Sequence, residues 1–312
     1  MTIKYEINSE TGNSEPVADI HYDLSDAEVH NLTKQLLAEY KTAIPKDMPF
    51  VCFNIRGTDF YSNLARTIEG RVFTEELCDE PDRMAADFKD YENYSEFFLV
   101  IDVNSEMPAG TLRIIENSNA GFMTVNELMY HVNPGDESPQ NYSYEQFYKS
   151  ANEQASQLGN TIDGIKDENT WEVGTIAVLK NYRRSRNSSE DQKIASFVVS
   201  GLLYRSLYAQ ACRRDIEGFV SMIDTTALGT LRSLGIPFED LPYTKKIYFE
   251  DGSSFHPCFA VVPDFDVRMR SYADREYKNA VSEKEKAAAQ SKIGLIDELL
   301  TGRLLDGMMV KT

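Results

Sequence analysis

The feature that most constrains the fold is an apolar run followed at once by a basic turn and a long helical pattern. The run is Trp171-Glu172-Val173-Gly174-Thr175-Ile176-Ala177-Val178, and the turn Tyr182-Arg183-Arg184-Ser185-Arg186 precedes the apolar helical pattern of Glu190–Arg213. A buried strand that leads into a helix start brings free backbone N–H groups and the positive end of the helix dipole together. The pattern predicts an anion site that Arg183, Arg184 and Arg186 line.

The overall charge limits which anions this site would bind. The 312-residue chain carries 32 basic and 50 acidic residues, a formal net charge of −18. Proteins that bind duplex nucleic acid need a basic face, so the composition argues against nucleic acid as a partner. An anionic ligand must be met by local arginines. A solvated basic loop, neutralised by Glu190 and Asp191, is the alternative interpretation of the turn.

Length and hydrophobic content predict a soluble globular protein. Its 42% hydrophobic residues are enough for a substantial core. No apolar run approaches the roughly 20 residues of a membrane span, and residues 1–19 lack the pattern of a secretory leader. We therefore expect a cytoplasmic protein. The four cysteines have no paired spacing typical of zinc or redox sites, and we expect reduced, mostly buried thiols at Cys52, Cys78, Cys212 and Cys258.

Hydrophobic patterns along the rest of the chain alternate between strands and helices. Strands are predicted at Val51–Ile55, Phe97–Val103, Gly110–Ile115, Gly218–Ile223 and Phe255–Val262, the second and third as a hairpin. Helices are predicted at Asp59–Phe73, Thr124–Tyr130, Tyr144–Leu158 and Thr225–Leu234, with Tyr144–Leu158 as an exposed helix. The order of elements after Trp171 is typical of an α/β protein with a mixed, α+β sheet that has parallel character in this unit.

Amphipathic helical segments lie at both ends of the chain. Ser25–Tyr40 has a cap residue at its start, and Arg270–Met308 is a charged helical tail. The predicted organisation is an N-terminal helical extension (1–48), one large α/β domain (49–265) and a C-terminal helical tail (266–312).

Four short motifs follow one another in a characteristic order. They are Val72-Phe73 at a helix end, Gly110-Thr111-Leu112-Arg113 in the hairpin, the Glu172-led strand ending in Ala177-Val178, and Leu231-Arg232-Ser233-Leu234-Gly235-Ile236-Pro237-Phe238. Together with the order of elements over Asp59–Val262, they resemble the GNAT acyltransferase superfamily. Within it, they are most similar to the branch of acyl-homoserine-lactone autoinducer synthases and N-acyl amino acid synthases.

The resemblance implies a GNAT-like central twisted sheet with flanking helices and an acyl thioester as co-substrate, without a metal. The acyl-CoA or phosphopantetheine-linked acyl group would pair with the backbone of Thr175, Ile176, Ala177 and Val178, with its phosphates at the arginine turn. A main-chain N–H near Ile176 or Val178 would bind the oxyanion. The chain departs from the pattern at Thr175, where lactone synthases commonly carry Arg, and in a turn without the usual glycine pair.

Three charged residues are candidates for the chemistry. Glu172 is the first candidate for the base that accepts the amine proton, and Glu69 is the second. Arg113 could orient a substrate carboxylate through its planar guanidinium. Each has a purely structural alternative: Glu172 as a surface carboxylate at a strand start, Glu69 as half of a surface ion pair with Arg66, and Arg113 as the partner of Glu116 or Asp102.

The sequence thus predicts an N-acyltransferase that moves an acyl group from acyl-CoA or acyl carrier protein to the amine of an amino acid or related small molecule. An acidic carrier protein would need a basic patch on this acidic chain, so acyl-CoA and acyl carrier protein are equally supported as donors. The C-terminal helical tail is a candidate surface for a homo-oligomer. The alternatives are a non-catalytic acyl-thioester-binding or regulatory module, favoured by the absence of Tyr from Thr225–Leu234, and an interaction protein that uses its helical ends.

Overall fold

The computed structural model describes residues 19–42, 44, 48–77, 80–116, 118–157, 164–183, 190–233, 235–249 and 252–301. The protein is an α/β protein with a mixed, mostly antiparallel sheet and flanking helices. Its strands are β1 (Phe50–Arg56), β2 (Ser95–Asp102), β3 (Met107–Ile115), β4 (Thr170–Val178), β5 (Gly218–Asp224), β6 (Glu239–Asp240), β7 (Ile247–Tyr248) and β8 (Ser254–Val261). Its helices are α1 (Asp26–Glu39), α2 (Ser62–Leu77), α3 (Pro81–Phe88), α4 (Met123–Tyr130), α5 (Tyr144–Gln157), α6 (Glu190–Arg213), α7 (Thr225–Ser233), α8 (Phe265–Asn279) and α9 (Glu283–Thr301).

The chain divides into two compact units, and β4 contributes residues to both. The described residues up to 114 and from 175 to 207 form the first unit, and those from 115 to 174 and from 208 to 301 form the second. In the first unit, the hydrogen-bonded strand order is β1-β2-β3-β4. Strands β1 and β2 pair antiparallel over their full length, from Phe50 opposite Asp102 to Arg56 opposite Glu96.

Helix α2 presents its apolar face to the core of the first unit. Leu64 and Ile68 are fully buried on this face, and Ile68 packs in a cluster with Ala177 of β4. Gly110 of β3 allows a close approach, because a Cβ there would lie 3.0 Å from the Ala177 carbonyl oxygen and 3.1 Å from Val199 of α6. These contacts explain why a glycine stands at the start of the Gly110-x-x-Arg113 motif.

In the second unit, β5 is the central strand. It pairs parallel with β4 and antiparallel with β8, and both β6 and β7 pair with β8. Aromatic side chains fill the core beneath this sheet: Phe147 of α5 packs edge-on against Phe122 and Phe259. Helix α7 begins where predicted, since the Asp224 carboxylate accepts hydrogen bonds from the backbone N–H groups of Thr226 and Ala227.

Most predicted elements are confirmed to within a few residues, and three are corrected. Helix α5 is not an exposed helix, because Phe147, Ala151 and Ala155 are fully buried. The C-terminal tail is not one helix: α8 and α9 are separated at Ala280–Ser282, where Glu285 accepts hydrogen bonds from the backbone of residues 281 and 282. Among the described residues of the second unit, only β4 and β5 pair in parallel.

Two further expectations concern membrane-spanning helices and the cysteine thiols. No helix among the described residues is long and apolar enough to cross a membrane. Cys52 and Cys258 are buried free thiols, as predicted, whereas Cys212 is exposed. Burial raises the pKa of Cys52 to about 12, so this thiol stays protonated and unreactive near neutral pH. Cys78 lies outside the described residues.

Candidate functional site

Glu172 lies on β4, where its carboxylate closes the N-terminal end of α4. One oxygen accepts hydrogen bonds from the backbone N–H and the hydroxyl of Thr124, at 2.7 and 2.6 Å. The other accepts a hydrogen bond from the backbone N–H of Met123 at 2.5 Å. The first N–H groups of a helix have no partners within the helix, so a carboxylate from another element satisfies them here.

The side chain of Glu172 is buried, with only 2% of the residue exposed. Its interpretation as a surface carboxylate is therefore wrong. Burial raises the pKa of Glu172 to about 7, although the hydrogen bonds from Thr124 and Met123 favour the charged form and oppose the rise. Its three donors are all uncharged groups. The carboxyl group can thus exchange a proton in the neutral pH range, which an ordinary exposed glutamate does not do.

The parallel pairing of β4 with β5 ends at the same residue. Three pairs are formed, of which Glu172 opposite Val220 is the last. One residue further along, the Ser221 hydroxyl donates to the carbonyl oxygen of Val173 at 2.7 Å in place of a backbone ladder. Both strands continue beyond this point. The carboxyl group with the raised pKa therefore marks the end of the β4–β5 ladder.

Glu69 and Arg113 form a separate buried group in the first unit. Arg113 donates from Nη2 to Glu69 Oε2 at 2.6 Å and from Nε to Glu69 Oε1 at 3.2 Å. The hydroxyl of Thr175 also donates to Glu69. Glu69 and Arg113 are fully buried. The interpretation of Glu69 as half of a surface ion pair is wrong, and Arg113 does not pair with Glu116 or Asp102.

Three further residues complete this ionic network. Glu92 accepts hydrogen bonds from Arg66 at 2.5 Å and from Arg113 at 3.3 Å. The hydroxyl of Tyr22 donates to Glu92 at 2.5 Å and accepts from Arg113 at 2.6 Å. The sequence prediction did not include Glu92 and Tyr22. Both lie in polar stretches without periodicity, so no local signal marks them as buried.

The network balances two guanidinium groups against two carboxylates. Burial raises the pKa of Glu69, and Arg113 opposes the rise. Burial has the same effect on Glu92, but Arg113 and Arg66 together hold the pKa of that carboxyl below its ordinary value. Aromatic rings cover the Arg113 guanidinium, with Phe88 at 3.9 Å and Phe97 at 4.6 Å from its carbon to the ring centres. Such a group holds neighbouring elements in place and is shielded from solvent.

Arg183 follows β4 and is the described member of the predicted arginine turn. Its guanidinium contacts the carboxylates of Glu75, at 2.9 Å, and Glu76 of α2. It is thus partnered by α2. The side chains of Glu190 and Asp191 lie outside the described positions. Arg184 and Arg186 also lie outside the described residues.

The backbone positions predicted to meet the donor are divided between two environments. Thr175 and Ala177 are buried, and Ile176 and Val178 are half-buried. These alternating positions are expected in a strand, because successive side chains point to opposite faces. Within the described part of the chain, no group of three or more His, Cys, Asp and Glu side chains has the arrangement of a metal site.

Several solved structures are similar to this chain at low sequence identity. No family model and no curated protein matches the sequence. A CoA-dependent acyl-homoserine lactone synthase, BjaI, with SAM and isopentyl-CoA is similar over 77% of this chain and 88% of its own, at 11% identity and a TM-score of 0.40. The N-acyl amino acid synthase FeeM from uncultured soil microbes is similar over 70% of this chain and 93% of its own, at 14% identity and a TM-score of 0.42. A probable acetyltransferase from Staphylococcus epidermidis is similar over 68% of this chain and 98% of its own, at 11% identity and a TM-score of 0.35.

Proposed function

We propose that this protein is an N-acyltransferase that moves an acyl group from a thioester to the amine of an amino acid or a related small molecule. The donor is acyl-CoA or an acyl group on the phosphopantetheine of a carrier protein. The observation that carries this proposal is Glu172, a buried carboxyl group whose pKa is raised to about 7 at the end of the β4–β5 ladder.

Amine acylation needs a base with this property. An amino group is protonated at neutral pH and becomes a nucleophile only after it loses a proton. A carboxylate with an ordinary pKa is a weak base for this step, whereas one with a pKa near 7 is matched to the working pH. After its three hydrogen bonds, Glu172 retains one lone-pair site, on Oε2, because Oε1 already accepts two hydrogen bonds from Thr124. It can receive the proton there, directly or through a water molecule.

The proposed reaction has one bond formed and one broken at the carbonyl carbon. The amine nitrogen attacks this carbon, the tetrahedral intermediate collapses, and the C–S bond breaks to give the amide and a thiolate. Counted from the protonated amine, the nitrogen loses two protons: one goes to Glu172 and from there to solvent, and the other reaches the thiolate, which leaves as the free thiol. The backbone of Thr175–Val178 would align the donor, with an N–H near Ile176 or Val178 as the oxyanion donor.

Glu69 and Arg113 have a different role in this proposal. Both are fully buried and their polar atoms are engaged with each other, Thr175, Tyr22 and Glu92. We therefore propose them as positioning residues that hold β4 at Thr175, and not as groups that touch substrate. Arg183, with Arg184 and Arg186 from the same turn, would bind the donor's phosphates.

Incubation of the purified chain with acyl-CoA or acyl carrier protein and pools of amino acids tests the proposal. We expect release of free thiol together with an N-acyl product of matching mass. Glu172→Gln should lower kcat at least tenfold while the Kd for the donor is unchanged, and kcat/KM should rise through an apparent pKa of about 7. Exchange of the exposed loop residue Glu137 for Gln is the control and should leave kcat unchanged.

One observation favours a second candidate function, a non-catalytic acyl-thioester-binding module. Both oxygens of Glu172 already cap α4, which is a sufficient structural role for this side chain. The module would gain thermal stability from acyl-CoA and release no thiol with any amine. Thiol release coupled to product formation would exclude this alternative. A cytoplasmic location and oligomerisation through the C-terminal helices remain predictions.

A further inference from the structure

Two glutamates at the end of α2 form ion pairs with the cationic side chains that follow β4. Lys180 Nζ lies 2.9 Å from Glu75 Oε1, Arg183 Nη2 lies 2.9 Å from Glu75 Oε2, and Arg183 Nη1 donates to Glu76. Two carboxylates thus present one guanidinium with the kind of anionic oxygens that a phosphate presents. The hydrogen bond from Lys180 lowers the pKa of Glu75, with Arg183 acting in the same direction.

The backbone that carries these cations is fixed in place. The hydroxyl of Tyr182 donates to Asp102 at 2.8 Å, and its ring packs edge-on against Phe50. The N–H groups of Tyr182 and Arg183 close a short 3₁₀ turn on the carbonyl oxygens of residues 179 and 180. Arg183 also retains a buried Nε with no hydrogen-bond partner. Its guanidinium is therefore held near the two glutamates with donor capacity to spare.

We propose that Glu75 and Glu76 act as an internal competitor for the donor's phosphate groups and so determine the affinity for phosphate-bearing thioesters. This inference rests on the proposed function, because it assigns Lys180 and Arg183 to donor binding. A phosphate can bind these cations only when the carboxylates leave them. The four side chains are 28–79% exposed, and exposed ion pairs are weak, so the competition amounts to about threefold to tenfold in affinity.

The competition discriminates between donors. Acyl-CoA brings phosphate groups, which must displace Glu75 and Glu76 from the cations. Acyl-pantetheine has the same thioester and the same arm but no phosphate, so it leaves these ion pairs intact. Removal of the two carboxylates should therefore help the first donor and not the second.

The test is the double variant Glu75→Gln/Glu76→Gln of the full chain. We expect it to bind CoA about threefold to tenfold more tightly by isothermal titration calorimetry, with an equal fall in KM for acyl-CoA and no change for acyl-pantetheine. The matched control is Glu239→Gln/Glu283→Gln, which removes two carboxylates from exposed ion pairs with Arg268 and Lys286. This control should leave CoA affinity unchanged. Equal gains in the two double variants, or no gain in either, would overturn the inference.

A second comparison separates local competition from the general effect of charge. In a Lys180→Gln/Arg183→Gln background, the two glutamines should no longer improve CoA binding, because the contested cations are gone. A persistent improvement would show that the glutamates act by long-range repulsion and would contradict the proposal.

The measurement of CoA binding also distinguishes the proposed competition from the proposed acyltransferase activity. Tighter CoA binding by the double variant without thiol release from any donor would support the competition and refute the acyltransferase activity. Thiol release with unchanged CoA affinity would do the reverse. Failure of CoA to bind the wild-type chain and the double variant alike would overturn the competition outright.

Discussion

The protonation of Glu172 should appear in the pH dependence of stability. Burial raises its folded-state pKa from 4.5 to about 7, so the folded chain binds this proton more tightly than the unfolded chain does. The stabilisation that the proton provides is fully present below pH 4.5 and is lost as the pH rises through about 7. Glu172→Gln replaces the carboxyl group with a neutral isostere that does not titrate.

The magnitude follows from the two pKa values. At 1.36 kcal/mol for each pH unit, the full effect is about 3.4 kcal/mol, and the part that develops between pH 5 and pH 8 is about 2.5 kcal/mol. The free energy of unfolding of the wild-type chain, minus that of Glu172→Gln, should fall by this amount over that interval. Any destabilisation that the amide causes at the α4 cap is independent of pH, so it cancels when the difference is compared between pH values.

Guanidinium chloride unfolding at pH 5, 6, 7 and 8 measures this difference. Glu137→Gln, in an exposed loop, is the control and should give a profile parallel to that of the wild type. A flat difference for Glu172→Gln would refute the reasoning. It would show that the N–H groups of α4 outweigh burial and hold the carboxyl group ionised throughout, because the folded and unfolded chains are then both deprotonated above pH 5.

Three other substitutions test the packing and capping described above by their effect on the free energy of unfolding. Glu69→Ala should cost about 3–5 kcal/mol, because it leaves the guanidinium of Arg113 buried without its main partner; a cost below 1 kcal/mol would contradict the network. Phe147→Ala should cost about 3–5 kcal/mol, since Phe147 is fully buried in the second unit, whereas an exposed α5 would tolerate the change. Ser25→Ala should cost about 1 kcal/mol through loss of the capping box of α1, and an unchanged stability would mean that this cap is redundant.

The elements predicted best are those with a wide apolar stripe or an explicit cap. The pattern of Glu190–Arg213 gives the bounds of α6 as observed, and Asp224 marks the start of α7. Helix α5 was mistaken for an exposed helix because its buried face consists largely of Ser, Ala and Gln, with Phe147 as the large apolar residue. Small side chains pack closely without giving a strong hydrophobic signal. The buried residues Phe147, Ala151 and Ala155 recur every four positions, which is a helical spacing. Their positions therefore indicate a buried helix face that hydrophobicity alone does not.

The break in the C-terminal tail had a usable local signal. Ser282 and Glu285 form the Ser-x-x-Glu pattern of a helix start, and the Glu285 carboxylate accepts from the Ser282 backbone as that pattern predicts. The ionic network had no such signal. Its hydrogen bonds join residues 21 to 106 positions apart, so only the folded chain shows that Glu92 and Tyr22 belong with Arg113. Residue type identified Glu172, Glu69 and Arg113 as candidates, but their burial and partners depend on tertiary contacts.

The different surroundings of the buried glutamates argue for different roles. Glu92 lies beside Arg66 and Arg113, which lower its pKa, and Glu69 is bound by two atoms of Arg113. Exchange of a proton by either would leave a buried guanidinium without its counter-charge, which is costly. Glu172 has three neutral donors instead, so protonation removes a buried charge and leaves no cation behind. Of these three carboxyl groups, Glu172 is therefore the one suited to the proton transfer of the proposed reaction, while Glu69 and Glu92 are suited to hold the strands in place.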